Sequence, residues 1–253
     1  MCLVDVVSSD VYNHFMMLSV AIYCLSSPLF HERYNLYSDQ ILEIFVKDFG
    51  KLYDDYNLVY NVHGLVHIAK DVRSFGPLEH FSAFVFESFL GRLKRLVRKP
   101  NFPLQQVIKR FSENCVGAEG KSIPVLGAVK GEHCHGPLPI DVNKFSQFSQ
   151  IQLPLAFFSV HKGNNCVLIG NKVALIVNIV CESPEHQKFL VVKEFLQKTN
   201  FFDIPLPSSD LLIYTVNNLS TECKVYSIED VVCKCVLIPF RDRFVSMPLV
   251  HTL

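Results

Sequence analysis

The sequence predicts an α+β chain, with a helical N-terminal half followed by a small antiparallel β-rich domain. Three observations predict it. Apolar residues recur at helical spacing up to about residue 114. Residues 117–149 hold several Gly and Pro and little periodic pattern, which reads as a linker or long loop. Beyond them, β-branched runs replace the helical period. The expected units are therefore 1–116, 117–149 and 150–253.

Ser8, Ser9 and Asp10 offer N-caps to a first helix reaching about Ser26, before Pro28. Val11, Phe15, Leu18 and Ile22 mark its apolar line. Ser38 is the expected cap of a second helix, to about Asp54, with Ile41, Ile44, Phe45, Val46, Phe49 and Leu52 on its apolar side. A third starts at Asn61 or Val62 and is ended by Gly76-Pro77. The fourth spans about Ser82 to Arg98, stopped by Pro100, and a fifth runs from Pro103 to about Asn114.

The strands expected after the loop are Ile151–Val160, Cys166–Ile169, Lys172–Cys181, Phe189–Phe195, Leu211–Val216, Val231–Pro239 and Phe244–Val250. Asn164-Asn165 and Gly170-Asn171 suit tight turns, and the last two strands make a hairpin turned at Phe240–Arg243. A small barrel or antiparallel sheet accommodates them.

The chain has 253 residues, 49% of them hydrophobic, with Lys+Arg and Asp+Glu both at 24. This is enough apolar material for a packed core, and nucleic-acid binding would need a local basic patch. The nine cysteines form no regular framework, and the start lacks a signal-peptide pattern. Reduced thiols in an intracellular, non-secreted protein are expected. The apolar run Phe15–Leu25 is too short to span a bilayer, so no membrane partner is expected.

Residues 60–110 concentrate the chemistry. Phe86, Leu90, Leu93 and Val97 form an expected core stripe, with Phe89 and Leu96 beside it. Glu87 sits next to that stripe among aromatics. It reads either as an exposed or salt-bridged helix residue or as a carboxylate with a task. His63 and His67 are one turn apart and share a face, which is the spacing of two zinc ligands or of two buried or boundary histidines hydrogen-bonded to backbone or to a carboxylate. Gly64 stands where a zinc peptidase needs Glu, which excludes that reading. Arg92, Lys94, Arg95, Arg98, Lys99, Lys109 and Arg110 run without an intervening acid. They are either a solvated face or a set of phosphate contacts. His133-Cys134-His135, with Cys115, is too crowded along the chain for a good zinc site. Cys233 and Cys235 alternate on a strand and read as buried thiols.

Within this stretch the segments NVHGLVH, FGPLEHFSAFVFESFLGRLKRLVR and FPLQQVIKR resemble the C-terminal part of CACTA (En/Spm-type) transposases and of transposase-domain proteins derived from them. Weaker similarity extends to VYNHFMMLSVAIYCLSS, SSDLLIYTVNNLS and KCVLIPFRDRFVSMPL. The resemblance implies that the helical half is a fragment of a ribonuclease-H-like core of the DDE class. In that class two aspartates and one glutamate hold two Mg²⁺ or Mn²⁺ ions for phosphoryl transfer. Glu87 in Phe86-Glu87-Ser88-Phe89 matches the third carboxylate, and the family's matching H-x3-H implies a place for His63 and His67 next to the catalytic pocket. The first 60 residues read as helices and supply no strand for the two aspartates. The expectation is thus a catalytically incomplete, transposase-derived nuclear protein with no metal or other cofactor in the isolated chain. Its partners would be DNA, proteins or other transposase-derived chains. The alternative is the C-terminal part of an enzyme completed by upstream or in-trans aspartates.

Overall fold

The computed structural model describes residues 3, 6–116, 127–138, 145–153, 156–182 and 187–250. The fold is α+β, as the sequence predicts: a helical N-terminal half and an antiparallel β domain.

Helix α1 (Ser9–Ser26) opens where Ser8 Oγ accepts from the Val11 N–H at 3.4 Å. Its buried side is Met16, Val20, Ala21, Cys24 and Leu25, rather than the line through Val11, Phe15, Leu18 and Ile22. The helix is apolar on most sides, so its periodicity marks the buried face weakly. Helix α2 (Asn35–Tyr53) begins three residues before the expected cap. Ser38 is fully buried inside it, and Asn35 Nδ2 instead ties the helix start to the Ala69 carbonyl at 2.9 Å. The expected third helix is split at Gly64 into α3 (Tyr60–His63) and α4 (Leu65–Phe75). Gly76 ends α4 with φ 84°, a conformation that suits glycine. Helices α5 (Phe84–Leu96) and α6 (Pro103–Val116) follow.

The strands are β1 (Val129–His133), β2 (Phe145–Gln152), β3 (Phe157–Ser159), β4 (Cys166–Ile169), β5 (Lys172–Glu182), β6 (Lys188–Asn200), β7 (Tyr214–Leu219), β8 (Lys224–Ser227), β9 (Val231–Phe240) and β10 (Arg243–Pro248). β1 and the start of β2 lie in the stretch read as linker, and their short, polar sequences carry too little alternation to show it. The rest of that stretch, 117–126 and 139–144, lies outside the described residues. The single strand expected over Ile151–Val160 is two, β2 and β3, and the start of the Leu211–Val216 strand is a 3₁₀ turn, Ser208–Leu211. β8 is a further strand.

Pairing is antiparallel, and the pairs β5–β4, β4–β9, β9–β10, β10–β7, β7–β6 and β6–β5 close on themselves as a small barrel. The β9–β10 hairpin turns through Arg241-Asp242, with Phe240 facing Arg243, and the β4–β5 hairpin turns at Gly170-Asn171. Strands β1, β2, β3 and β8 extend the wall.

Three clusters hold this together. Cys166, Leu168, Val173, Phe195, Tyr214, Val216, Cys233 and Cys235 form one, drawn from five strands of the ring. Phe158, Ile151, Val167, Ala174, Ile176, Ile179 and Leu190 form a second, on the opposite faces of β4 and β5. The third unites α1, α2 and α4 with Leu211, Ile213 and Val245. Helices and barrel therefore share a core, and Tyr23 Oη donates to the Pro248 carbonyl at 3.3 Å across it.

Candidate nucleic-acid interface

Helices α5 and α6 stand apart from all three clusters. α5 buries none of its residues. The expected core stripe is corrected accordingly: Phe86 is 70% and Leu90 61% exposed, and Leu93 and Val97 are only half-buried. The amphipathic pattern is real, and α6 lies against part of it, with the Phe89 and Phe111 rings 6.2 Å apart. A helical period shows that a face wants cover; it does not show that cover is present.

The basic residues gather around this hairpin. Arg92, Lys94, Arg95, Arg98, Lys99 and Lys109 are exposed and Arg110 is half-exposed. The guanidinium of Arg92 lies over the Phe89 ring at 5.6 Å. The helix expected to about Arg98 is shorter: α5 ends at Leu96, Val97 leaves the helical region with ψ 104°, and Arg98 and Lys99 lie in the loop that follows. Pro100 disfavours a helical residue before it, and Gln106 supplies an alternative. Its Oε1 accepts from the Arg98 and Lys99 N–H groups at 3.0 and 3.3 Å. Its Nε2 donates to the carbonyls of Lys99 and Asn101 at 2.9 and 2.7 Å. One side chain from α6 thus fixes the loop that presents two cations. Gln106 was not singled out from the sequence. Its place in FPLQQVIKR was the available signal.

Glu87 is exposed in the first turn of α5, where a carboxylate favours the helix dipole. His63 and His67 are exposed, with ring centroids 5.7 Å apart and nearly perpendicular. Cys134 Sγ is 3.6 Å from His135 Nδ1, and the His133 and His135 rings are 5.2 Å apart. The side chain of Cys115 lies outside the described residues. Among the described residues no group of three or more His, Cys, Asp or Glu is arranged to hold a metal ion.

The barrel holds an electrostatic centre that sequence reading missed. Glu194, 3% exposed, receives Lys224 Nζ at 2.9 Å, Lys172 Nζ at 3.4 Å and the Tyr226 hydroxyl. Burial opposes the Glu194 charge, yet the bonds from Tyr226 and Lys224 and the nearby Lys172 keep its carboxyl below the ordinary range. The same hydrogen bond, with burial, pushes Tyr226 up to about 12. Its members come from β5, β6 and β8, far apart in sequence, so no local motif announces it. Lys234 is also buried, donating to the Phe157 carbonyl at 2.7 Å and to Asn164 Oδ1 at 2.6 Å. Both groups tie strands and loops of the barrel together.

A family model described as a domain of unknown function (DUF8592) matches residues 132–249. The barrel is what this similarity covers. The match begins at the end of β1 and closes after β10, leaving the hairpin outside it. Comparisons with curated proteins and with solved structures return no match. No helix among the described residues is long and apolar enough to cross a membrane.

Proposed function

We propose that this chain is a transposase-derived, catalytically incomplete nuclear protein that binds nucleic acid through the α5–α6 hairpin. The observation that carries the reading is the exposed basic set whose loop Gln106 pins in one conformation. A prearranged loop spends less conformational entropy when its cations meet phosphates. The similarity of residues 60–110 to the CACTA block supports the ancestry, and Glu87 is the one residue matched to the catalytic carboxylates of that class. On this reading Glu87 and the histidine pair are retained positions without a metal, and neither nuclease nor strand-transfer activity is expected.

Fluorescence anisotropy with a labelled DNA duplex across salt concentrations tests the proposal. Affinity should fall as salt rises, with a log–log slope of roughly −0.9 per phosphate contacted. Arg98→Ala with Lys99→Ala should weaken binding and flatten that slope. Absence of binding at low salt, or binding indifferent to salt, would remove nucleic acid from the function.

A further inference from the structure

We infer, resting on the nucleic-acid reading above, that the loop pinned by Gln106 takes an unpaired nucleotide, its base stacked on the Phe102 ring and its phosphates on Arg98 and Lys99. Phe102 ends the loop immediately before α6 and is 70% exposed. Its φ is 54°, in the left-handed region that bulky side chains rarely occupy. Pro103 disfavours the right-handed helical region at Phe102, but extended backbone was open to it. The left-handed conformation is held by its neighbours instead. The Gln106 N–H donates to the Phe102 carbonyl at 3.2 Å, and Gln106 Nε2 donates to the Asn101 carbonyl at 2.7 Å. One residue thus fixes a strained backbone that carries an apolar ring into water. Strain that the surroundings enforce in this way gathers where a side chain has a task.

The same Gln106 side chain fixes Arg98 and Lys99, whose N–H groups donate to its Oε1. Both cations are exposed. Phe102 is three positions after Lys99, so their Cα atoms lie within about 11 Å. Ring and cations are therefore presented together by one prearranged loop. No acidic residue stands between Ser88 and Ser112, so the stretch itself sets no carboxylate against a phosphate. A duplex keeps its base faces stacked on one another and offers a side chain only edges and backbone. An unpaired base offers a flat π-face whatever its identity. Such a nucleotide uses both parts of the loop, whereas a duplex uses the cations alone.

The test uses the full chain and labelled single strands of about 15 nucleotides, as DNA and as RNA of one sequence, beside the DNA duplex of that sequence. Phe102→Ala should weaken single-strand binding about tenfold in anisotropy and leave duplex binding within about twofold. The slope of affinity against salt should stay as in the parent, because the phosphate contacts remain, whereas Lys99→Ala should flatten it. Phe102→Trp should bind single strands at least as tightly as the parent. The chain holds no tryptophan, so the introduced indole reports alone. Its emission should be quenched at saturation by a single strand and not by the duplex. Circular dichroism checks the fold of each variant, and Phe102→Trp keeps the stack measurable if Phe102→Ala does not fold.

The tenfold loss in either the DNA or the RNA arm supports the stack and identifies the strand that supplies the base. Single-strand affinity indifferent to Phe102→Ala in both arms, or indole emission unchanged at saturation, overturns it. So does an equal loss for strand and duplex, which would make Phe102 a support of the loop. Salt-dependent duplex binding beside any of these results sinks the unpaired base alone. Absence of binding to strand and duplex removes the nucleic-acid function and the stack with it.

Discussion

The barrel and the α5–α6 hairpin both carry large apolar side chains at regular spacing, yet they treat them in opposite ways. Leu168 in β4 is fully buried and Leu90 in α5 is 61% exposed. Strand β4 has neighbours on both edges and packed side chains on both faces. Helix α5 has α6 along one side. The difference teaches that apolar content alone does not assign a residue to stability. A side chain stabilises the fold when other parts of the chain remove it from water, and otherwise it is available for a partner.

The comparison is sharpest for substitutions of matched chemistry. Phe158→Ala in the barrel should cost about 3–5 kcal/mol, because it empties a fully buried ring site. Chemical denaturation followed by circular dichroism measures it. Retention of nearly full stability would mean that the barrel wall collapses around the cavity, and that the contrast with the hairpin is overstated.

The next effect belongs to the buried carboxylate. Glu194→Gln should cost about 1–2 kcal/mol, since Lys172 and Lys224 are half-exposed and can turn back to water. The folded carboxyl lies below its unfolded value, so its contribution is present above the unfolded pKa of about 4.3. It is lost as pH falls through the folded pKa. Stability of the parent chain should therefore drop more steeply below about pH 4 than that of Glu194→Gln. Parallel slopes in thermal melts would deny Glu194 this role.

Tyr226 acts at the other end of the scale. Its proton is held more tightly in the folded chain, so its contribution is present below about pH 10 and lost as pH rises toward about 12. Tyr226→Phe should cost about 1 kcal/mol at neutral pH and show a shallower alkaline decline.

Smaller still in stability, but larger in function, is Gln106→Ala. It releases the loop of Arg98 and Lys99 and should weaken duplex binding several-fold, while shifting stability by less than about 1 kcal/mol, because the freed groups are exposed to water. Equal affinity would show that the loop needs no pinning. The smallest expected change is Leu90→Ser, within about 0.5 kcal/mol of the parent. A loss near that of Phe158→Ala would show that the hairpin is covered in solution.

Fold class, the five helical segments, most strands and the β9–β10 turn were legible, because each is written in local periodicity or turn chemistry. Strand β1 was not, since Val129–His133 holds a Gly and two charged residues and is a strand only by pairing with β2. Ring closure was not, because the β5–β6 pairing that completes it is a fact of register. The site was legible in part. The basic residues stand out in sequence, while their split between helix and loop depends on Gln106. The exposure of the α5 stripe was invisible, because burial is a property of the surroundings and not of the residue.

The shared core has a consequence for how the molecule is made. Helix α1 is synthesised early, and its buried side is completed by Val245, with Tyr23 bonded to a carbonyl 225 positions later in the chain. Until β10 leaves the ribosome, the cluster that buries Val20, Ala21 and Leu25 has Leu211 and Ile213 from the barrel side but lacks Val245. Contacts of such separation slow folding and prolong the lifetime of sticky intermediates. A chain stopped before β10 would thus carry an unfinished helix as well as an open barrel, and nascent forms of this protein should depend on chaperones until the final hairpin has formed.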